Sequence, residues 1–492
     1  MSAVALAAAP AATAAPGAAT APRALAPATF FGGYHTVAEQ YQHIDDVATA
    51  FPNLATSFTY GSSWLRTQGP GGRRLRALCL SAPSGDPAHP SCAVAQDGKP
   101  KFILLSAIHA REIVTGEITY RFIDWLTTNY GFDPMATAVL DNTAVWIVPQ
   151  ANPDGSEVVA SRNPPILQRK NLNNTAPGSN ACLNPTDGLN GYGVDLNRNF
   201  PNHWAAGADV CGQTFPGQGP ASEPETQGLI TLMSSLAANF WSPVTDHPLF
   251  NDANAVVLSL HSFGNVTLYP WEFTNAQPDP QELTRLSYVA LRMAKFTDWT
   301  AGQPASVLGA NASGGLEDWA FNGRGLPAFA WEIGGNIGTT CGGFTPAFSC
   351  VTGFFNQALP ALLYTASIAP RPWHFGVGPR VTGIQVTAVA GQPTMRTLRI
   401  TANDRLFGPG GVNAPATPVP PVKTIDRVQY LIDAPPGDGH AHPVTITSIA
   451  SDGTTTAQAT ISVAGLAPGR HLMYARSHTD QNGPYTAVFF TV

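Results

Sequence analysis

The sequence predicts a mixed, mainly parallel α/β sheet flanked by helices, followed by an all-β sandwich. Three observations predict it. Four short apolar runs (101–107, 144–149, 255–260 and 328–333) read as strands buried on both faces. Helical patterns lie between them, as a strand-helix alternation requires. After Pro370 the character changes to short Val/Thr/Ile segments broken by turn residues.

The four runs are KFILLSA, AVWIVP, AVVLSL and AFAWEI in chain order. Between the third and fourth, Asp279 offers an N-cap, Pro280 a first-turn proline and Glu282 an acidic N3 residue. Leu283, Leu286, Ala290, Met293 and Ala294 then recur at helical spacing. Seven strands are expected at 381–389, 397–402, 427–433, 444–449, 457–463, 471–476 and 487–492. Turn clusters such as Ser451-Asp452-Gly453 and Ala467-Pro468-Gly469 separate some of them. Residues 407–423 are rich in Gly and Pro and are expected as a long loop. Three regions follow: an Ala/Pro-rich leader at 1–29, an α/β unit at 30–370 and a β-sandwich at 371–492.

Of 492 residues, 44% are hydrophobic, enough for a large core, and only 12% are charged, about half the usual ~25%. A net charge of −6 offers no basic surplus, so no nucleic-acid partner is expected. No run of ~18 strongly apolar residues is present, so no transmembrane segment is expected. Fifteen of the first 28 residues are Ala, interrupted by prolines, which reads as a disordered leader or the remnant of a secretory signal. The six Cys form no CxxC pair. Short loop closure favours Cys79–Cys92, Cys182–Cys211 and Cys341–Cys350 among the fifteen possible connectivities. Disulfides place the chain in an oxidising compartment, secreted or extracellular.

Chemistry-bearing residues sit at the ends of the apolar runs. The first leads into His109-Ala-Arg-Glu112, the second into Asn152-Pro-Asp-Gly155, the third into His261, and the fourth contains Glu332. Ligand sites of open α/β sheets lie outside the carboxyl ends of the strands. His109 and Glu112 are one turn apart and can reach one ion, with His261 as a third ligand. Two imidazoles and one carboxylate suit zinc with a position left for water. A lone HxxE string is weak evidence; the further strings decide.

Those strings are Arg169-Lys170, Gly193-Val-Asp-Leu-Asn-Arg-Asn-Phe200, Ser222-Glu-Pro-Glu-Thr226, His261-Ser262, Ala312-Ser-Gly-Gly-Leu-Glu-Asp-Trp319 and Trp331-Glu332. With the two above, in this order over most of residues 100–335, the chain resembles the zinc metallocarboxypeptidases of the carboxypeptidase A/B type. The resemblance implies the zinc carboxypeptidase fold for the α/β unit and one Zn2+ per chain, held by His109, Glu112 and His261. It implies Asp195 as the carboxylate that accepts an N–H from the first ligand His, and Glu332 as general base toward the attacking water. Arg169 would stabilise the oxyanion, and Asn197 and Arg198 would clamp the substrate's terminal carboxylate. Arg111 would serve an auxiliary subsite. Glu317 stands at the base of the side-chain pocket, where an acid accompanies basic or mixed C-terminal preference. The Cys182/Cys211 couple resembles a disulfide of the pancreatic members.

The implied function is that of a secreted metallocarboxypeptidase acting on peptide or protein C-termini. A same-fold amidase on cell-wall peptides and a catalytically weak binding or adhesion protein are the alternatives. The family's mobile Tyr is replaced by Ala310, beside Asn311, which is expected to weaken binding but not to remove the chemistry. No activation pro-segment is evident before residue 34. In the last region, Leu466-Ala-Pro-Gly469 resembles a corner turn of fibronectin-like and immunoglobulin-like domains. Such domains contact glycans or cell walls, or stabilise an enzyme. His440, His442, His471 and His478 lack ligand spacing and are expected in solvated or packing roles.

Overall fold

The computed structural model describes residues 29–83, 92, 99–183, 191–434 and 441–492. The expected leader lies outside them except for residue 29. The chain opens with α1 (Val37–Ala50), β1 (Ala55–Ser62), α2 (Trp64–Gln68), β2 (Arg74–Leu80) and β3 (Lys101–Leu105). Next come α3 (Ile113–Asn129), α4 (Pro134–Asn142), β4 (Ala144–Val148), α5 (Pro153–Ala160) and α6 (Pro224–Leu236). A small hairpin of β5 (Trp241–Ser242) and β6 (His247–Pro248) precedes β7 (Ala255–His261) and β8 (Val266–Leu268). Then follow α7 (Pro280–Thr297), β9 (Thr300–Gly302), α8 (Pro304–Val307), α9 (Leu316–Arg324), β10 (Ala328–Glu332), α10 (Val351–Ile368) and α11 (Pro372–Phe375).

Eight strands form one sheet in the order β1-β2-β4-β3-β7-β10-β8-β9. The four apolar runs are its centre, β4-β3-β7-β10, and pair in parallel. Every residue of β3, β4 and β7 is buried, which is why they carry no polar alternation. The outer pairs β1–β2, β2–β4 and β10–β8 are antiparallel. Helices α3 and α7 pack on α10, which lies against β3 and β7. The expected cap of α7 is present: Asp279 and Glu282 form a reciprocal capping box with Pro280 at the first position. All three expected disulfides are present.

The last part of the chain forms seven antiparallel strands: β11 (Arg380–Val389), β12 (Gln392–Asn403), β13 (Arg427–Ile432), β14 (His442–Ile449), β15 (Thr455–Ser462), β16 (Arg470–His478) and β17 (Thr486–Thr491). All seven expected strands are there, with β12 beginning earlier than expected at Gln392. Their order is β11-β12-β15-β14-β13-β16-β17. The two halves enclose their own core, with Leu398, Ile400 and Ala457 from one and Val428, Met473 and Phe490 from the other. Of the four scattered His, His471 pairs with Asp433, His478 pairs with Asp426, and His442 lies beside the Tyr430 ring. His440 lies outside the described residues.

The Gly/Pro-rich stretch at 407–423 contains no helix or strand, yet it is anchored. It runs along β9, where Ala301 N–H donates to Pro409 O (2.9 Å) and Gly411 N–H to Ala301 O (2.7 Å). Beside it, the fully buried Arg292 of α7 pairs with Asp404 after β12, Nη2 to Oδ1 at 2.8 Å. Removing one partner of a buried pair strands the other charge. Asp404→Ala is therefore expected to cost about 3–5 kcal/mol in urea unfolding, whereas the apolar double variant Arg292→Met/Asp404→Leu should lie near wild type or above it.

Candidate active site

The carboxyl ends of β3, β7 and β10 lie side by side, and the parallel register places Glu332 opposite His261. After β3 the chain turns sharply: Ala107 sits in the left-handed region at φ 53°, costing about 1–3 kcal/mol. Thr115 of α3 holds that turn. Its hydroxyl accepts the Ala107 N–H (3.0 Å) and donates to Glu112 O (2.7 Å). Asn152 ties the same segment to its neighbours, its amide reaching Ile108 O and Arg169 O (3.4 and 3.3 Å). Gly155 allows this close approach, since a Cβ there would lie 2.8 Å from Ala110 Cβ and 2.7 Å from Lys170 O. His109 and Glu112 are thereby presented where β3 ends and α3 begins.

His109, Glu112 and His261 converge, each buried, with their ligand atoms all within 4.8 Å of one another. Glu112 lies between the rings, Oε1 at 2.8 Å from His109 Nδ1 and Oε2 at 3.1 Å from His261 Nδ1. The two Nδ1 atoms are 3.1 Å apart. The Nε2 atoms point away, His109's to Asp195 Oδ1 (3.2 Å) and His261's to Ser259 Oγ (2.7 Å). With both Nε2 atoms acting as donors, both Nδ1 lone pairs face the Glu112 carboxylate. In that tautomer three acceptors face one point, an arrangement that a cation between them satisfies. Burial pushes the His261 ring down, but Glu112 and then Glu332 outweigh it and lift it to about 9. Burial likewise pushes Glu112 up, and the two rings hold it well below the usual carboxylate range. Two imidazoles and one carboxylate, with no further protein donor grouped with them among the described residues, fit zinc with an open position.

Asp195 is shared. Oδ1 accepts from His109 Nε2 and from Asn197 N–H (3.0 Å), and Oδ2 from Arg169 Nε (2.9 Å). Burial raises its pKa, and Arg169 and then His109 overcome this and hold it well below the usual range. Arg169 is thus seated on Asp195, with Glu112 Oε1 3.9 Å from its Nη1.

These residues border a cavity of about 220 Å³, lined by His109, Arg169, Asn197, Arg198, His261 and Glu332 among others. Burial and then the charge of Glu112 push Glu332 up to about 8, with His261 and Arg169 pulling the other way. Leu308, Ala310 and Asn311 form one wall. Asn311 is turned toward Asn275, its Nδ2 donating at 2.7 Å. Arg111 is not at the cavity surface; it donates to Gln213 Oε1 (2.7 Å) and stacks over Phe344 at 3.8 Å. Glu317 is buried in the first turn of α9, and neither carboxylate oxygen has a hydrogen-bond partner among the described residues. One charged cavity residue was missed by sequence reasoning: Glu272, in the aromatic stretch after β8. It belongs to no string used above. The available signal was an acid set among Tyr269, Trp271 and Phe273.

Fold and site together define a carboxypeptidase-type α/β domain with a candidate metal centre at its strand ends. The chain belongs to the zinc carboxypeptidase family, whose model matches residues 40–355. Carboxypeptidase A1 of Sus scrofa is 28% identical over 318 residues, which cover 63% of this chain and 65% of the relative. The chain thus spans just under two thirds of that relative's length. Among solved structures, carboxypeptidase A from Helicoverpa armigera has a TM-score of 0.54 at 24% identity, covering 69% of this chain and 74% of that one. Thrombin activatable fibrinolysis inhibitor has a TM-score of 0.55 at 23% identity, covering 69% and 75%. Both share the fold.

Asp195 orients the His109 ring, and such partners are worth about 10–100-fold in metal affinity. Asp195→Asn is expected to weaken zinc binding by that factor, read by competition against a colorimetric chelator.

Proposed function

We propose that the protein is a secreted metallocarboxypeptidase that hydrolyses the C-terminal peptide bond of peptides and proteins. The observation that carries this reading is the in-register pairing of Glu332 with His261, which sets a carboxylate beside the three metal donors at one cavity. His109, Glu112 and His261 would hold the zinc. When bound, zinc lowers the pKa of a water and polarises a carbonyl.

The chain's own residues supply the rest. Asn197 and Arg198, at the cavity wall, receive the terminal carboxylate, Arg198 with a planar fork of donors. That contact restricts cleavage to free C-termini. Glu332 takes the proton of the attacking water and returns it to the leaving amine; a pKa near ambient pH suits both steps. Arg169, fixed by Asp195, faces the cavity with a charge that stabilises developing negative charge on the carbonyl oxygen. Arg111 lies outside the first contacts and acts further along a bound peptide. Glu317 supports a preference for a basic C-terminal side chain. Ala310 leaves the wall without a phenol, so binding loses the ~1–3 kcal/mol of one charged hydrogen bond.

Residues 30–370 act as the catalytic unit in this reading, and 371–492 as an accessory sandwich. Three disulfides support an extracellular location. No helix among the described residues is long and apolar enough to cross a membrane.

Glu332→Gln is expected to lower kcat on hippuryl-Arg by about 10²–10⁴-fold while zinc content stays at one per chain by elemental analysis. Peptides amidated at the C-terminus should resist the wild type. Equal cleavage of free and amidated peptides would instead favour the amidase reading.

A further inference from the structure

Away from the metal donors, a cavity of about 300 Å³ opens where the α/β unit meets the sandwich. Phe296 of α7 and Leu363 and Tyr364 of α10 line it from the first unit. Arg380 of β11 and Tyr485, just before β17, line it from the second. The seam beside it is closely packed. Ala138 of α4 shares an apolar cluster with Tyr474, Tyr485 and Ala487, and Asn142 Nδ2 donates to the Tyr474 hydroxyl (3.2 Å).

The hydroxyls around the cavity are engaged with the protein itself. Thr486 Oγ1 donates to Val381 O (3.1 Å), Ser367 Oγ to Tyr364 O (2.7 Å) and Thr382 Oγ1 to Thr401 Oγ1 (3.2 Å). The Tyr364 hydroxyl is directed to Gly376 O (3.4 Å) and that of Tyr485 to Ala138 O (3.5 Å). Arg380 is the one charged group of the lining. Its guanidinium lies over the Phe296 ring at 3.8 Å, with the Tyr364 ring at 5.7 Å. It makes no hydrogen bond or ion pair with any other side chain or carbonyl among the described residues. Burial, and then the like charge of Arg292, pull its pKa down to about 10, which leaves it cationic at neutral pH. Arg292 itself is already matched by Asp404.

A half-buried cation with five N–H donors and no acid beside it is complementary to an anion. A carboxylate fits the planar fork with both oxygens. The remaining walls are largely apolar, and the volume stands at the lower end of the ~300–1,000 Å³ of small-molecule sites. We propose that this cavity binds a small monocarboxylate with an apolar tail, its head on Arg380 and its tail among the surrounding apolar side chains. The site includes none of the metal donors, and the proposal does not rest on the hydrolytic reading. A ligand held here touches both units, so it stabilises their joined state by mass action.

The test is calorimetry of the zinc-loaded full chain with octanoate, its neutral isostere octanamide, and acetate. Octanoate is expected to bind at one site per chain with a Kd below about 1 mM. Octanamide, which lacks the charge, and acetate, which lacks the tail, should each bind at least about 10-fold more weakly. Arg380→Gln should weaken octanoate at least about 10-fold, whereas Arg198→Gln, at the other cavity, should leave its Kd unchanged. Equal binding to wild type and Arg380→Gln, or no binding to wild type, would overturn the proposal. Should Arg380→Gln lose its cooperative melt, wild-type crystals soaked in 8-bromooctanoate decide by anomalous scattering. Bromine in this cavity supports the site, and bromine only elsewhere rejects it.

Discussion

Glu112 is a fully enclosed carboxylate with an imidazole nitrogen on each of its oxygens, and the surrounding architecture serves to keep it so. Three acceptors aimed at one another would repel in a dry interior without a positive charge among them. The fold supplies the rigidity to hold them there. β3 and β7 are paired in parallel and buried on both faces, so neither strand can slide to relieve the crowding. The turn at Ala107, stapled by Thr115, and the Asp195 bridge to the His109 ring restrict the remaining freedom. A cation is therefore part of what the folded strand ends are built to hold.

The wider cavity follows the same electrostatic logic. Glu112, Glu332, Asp195, Glu272 and Glu317 lie in one region, against Arg169, Arg198 and Arg111. Arg169 is seated on Asp195 and still borders the cavity, while Arg111 is turned to Gln213 and the Phe344 ring. Negative charge is left in excess at the metal donors, where a zinc ion would answer it.

The central sheet was legible because its strands are buried on both faces and so read as unbroken apolar runs. The sandwich was legible because turn residues punctuate its strands. The flanking strand β1 and the short β8 and β9 were not, since half-exposed or three-residue segments carry little pattern. The groups His109, Glu112, Asp195, His261 and Glu332 were legible from motif strings, and all five meet at one place. Not every residue of those strings belongs to the site. Glu223 and Glu225 are structural, taking the Asn171 amide and the Trp64 N–H. Glu272 escaped notice because its position depends on contacts with Asp318 and Gly315 that no local spacing encodes.

The stretch that follows β12 touches the far margin of the large sheet at Ala301 and Gly410. A sheet margin is a row of unsatisfied backbone groups, open to any extended chain that drifts past. Here that row is occupied by the molecule's own polypeptide, and the proline and glycine content of 407–423 makes it a poor partner for further strand growth. The segment between β12 and β13 thus acts as a stopper against end-to-end association at this margin.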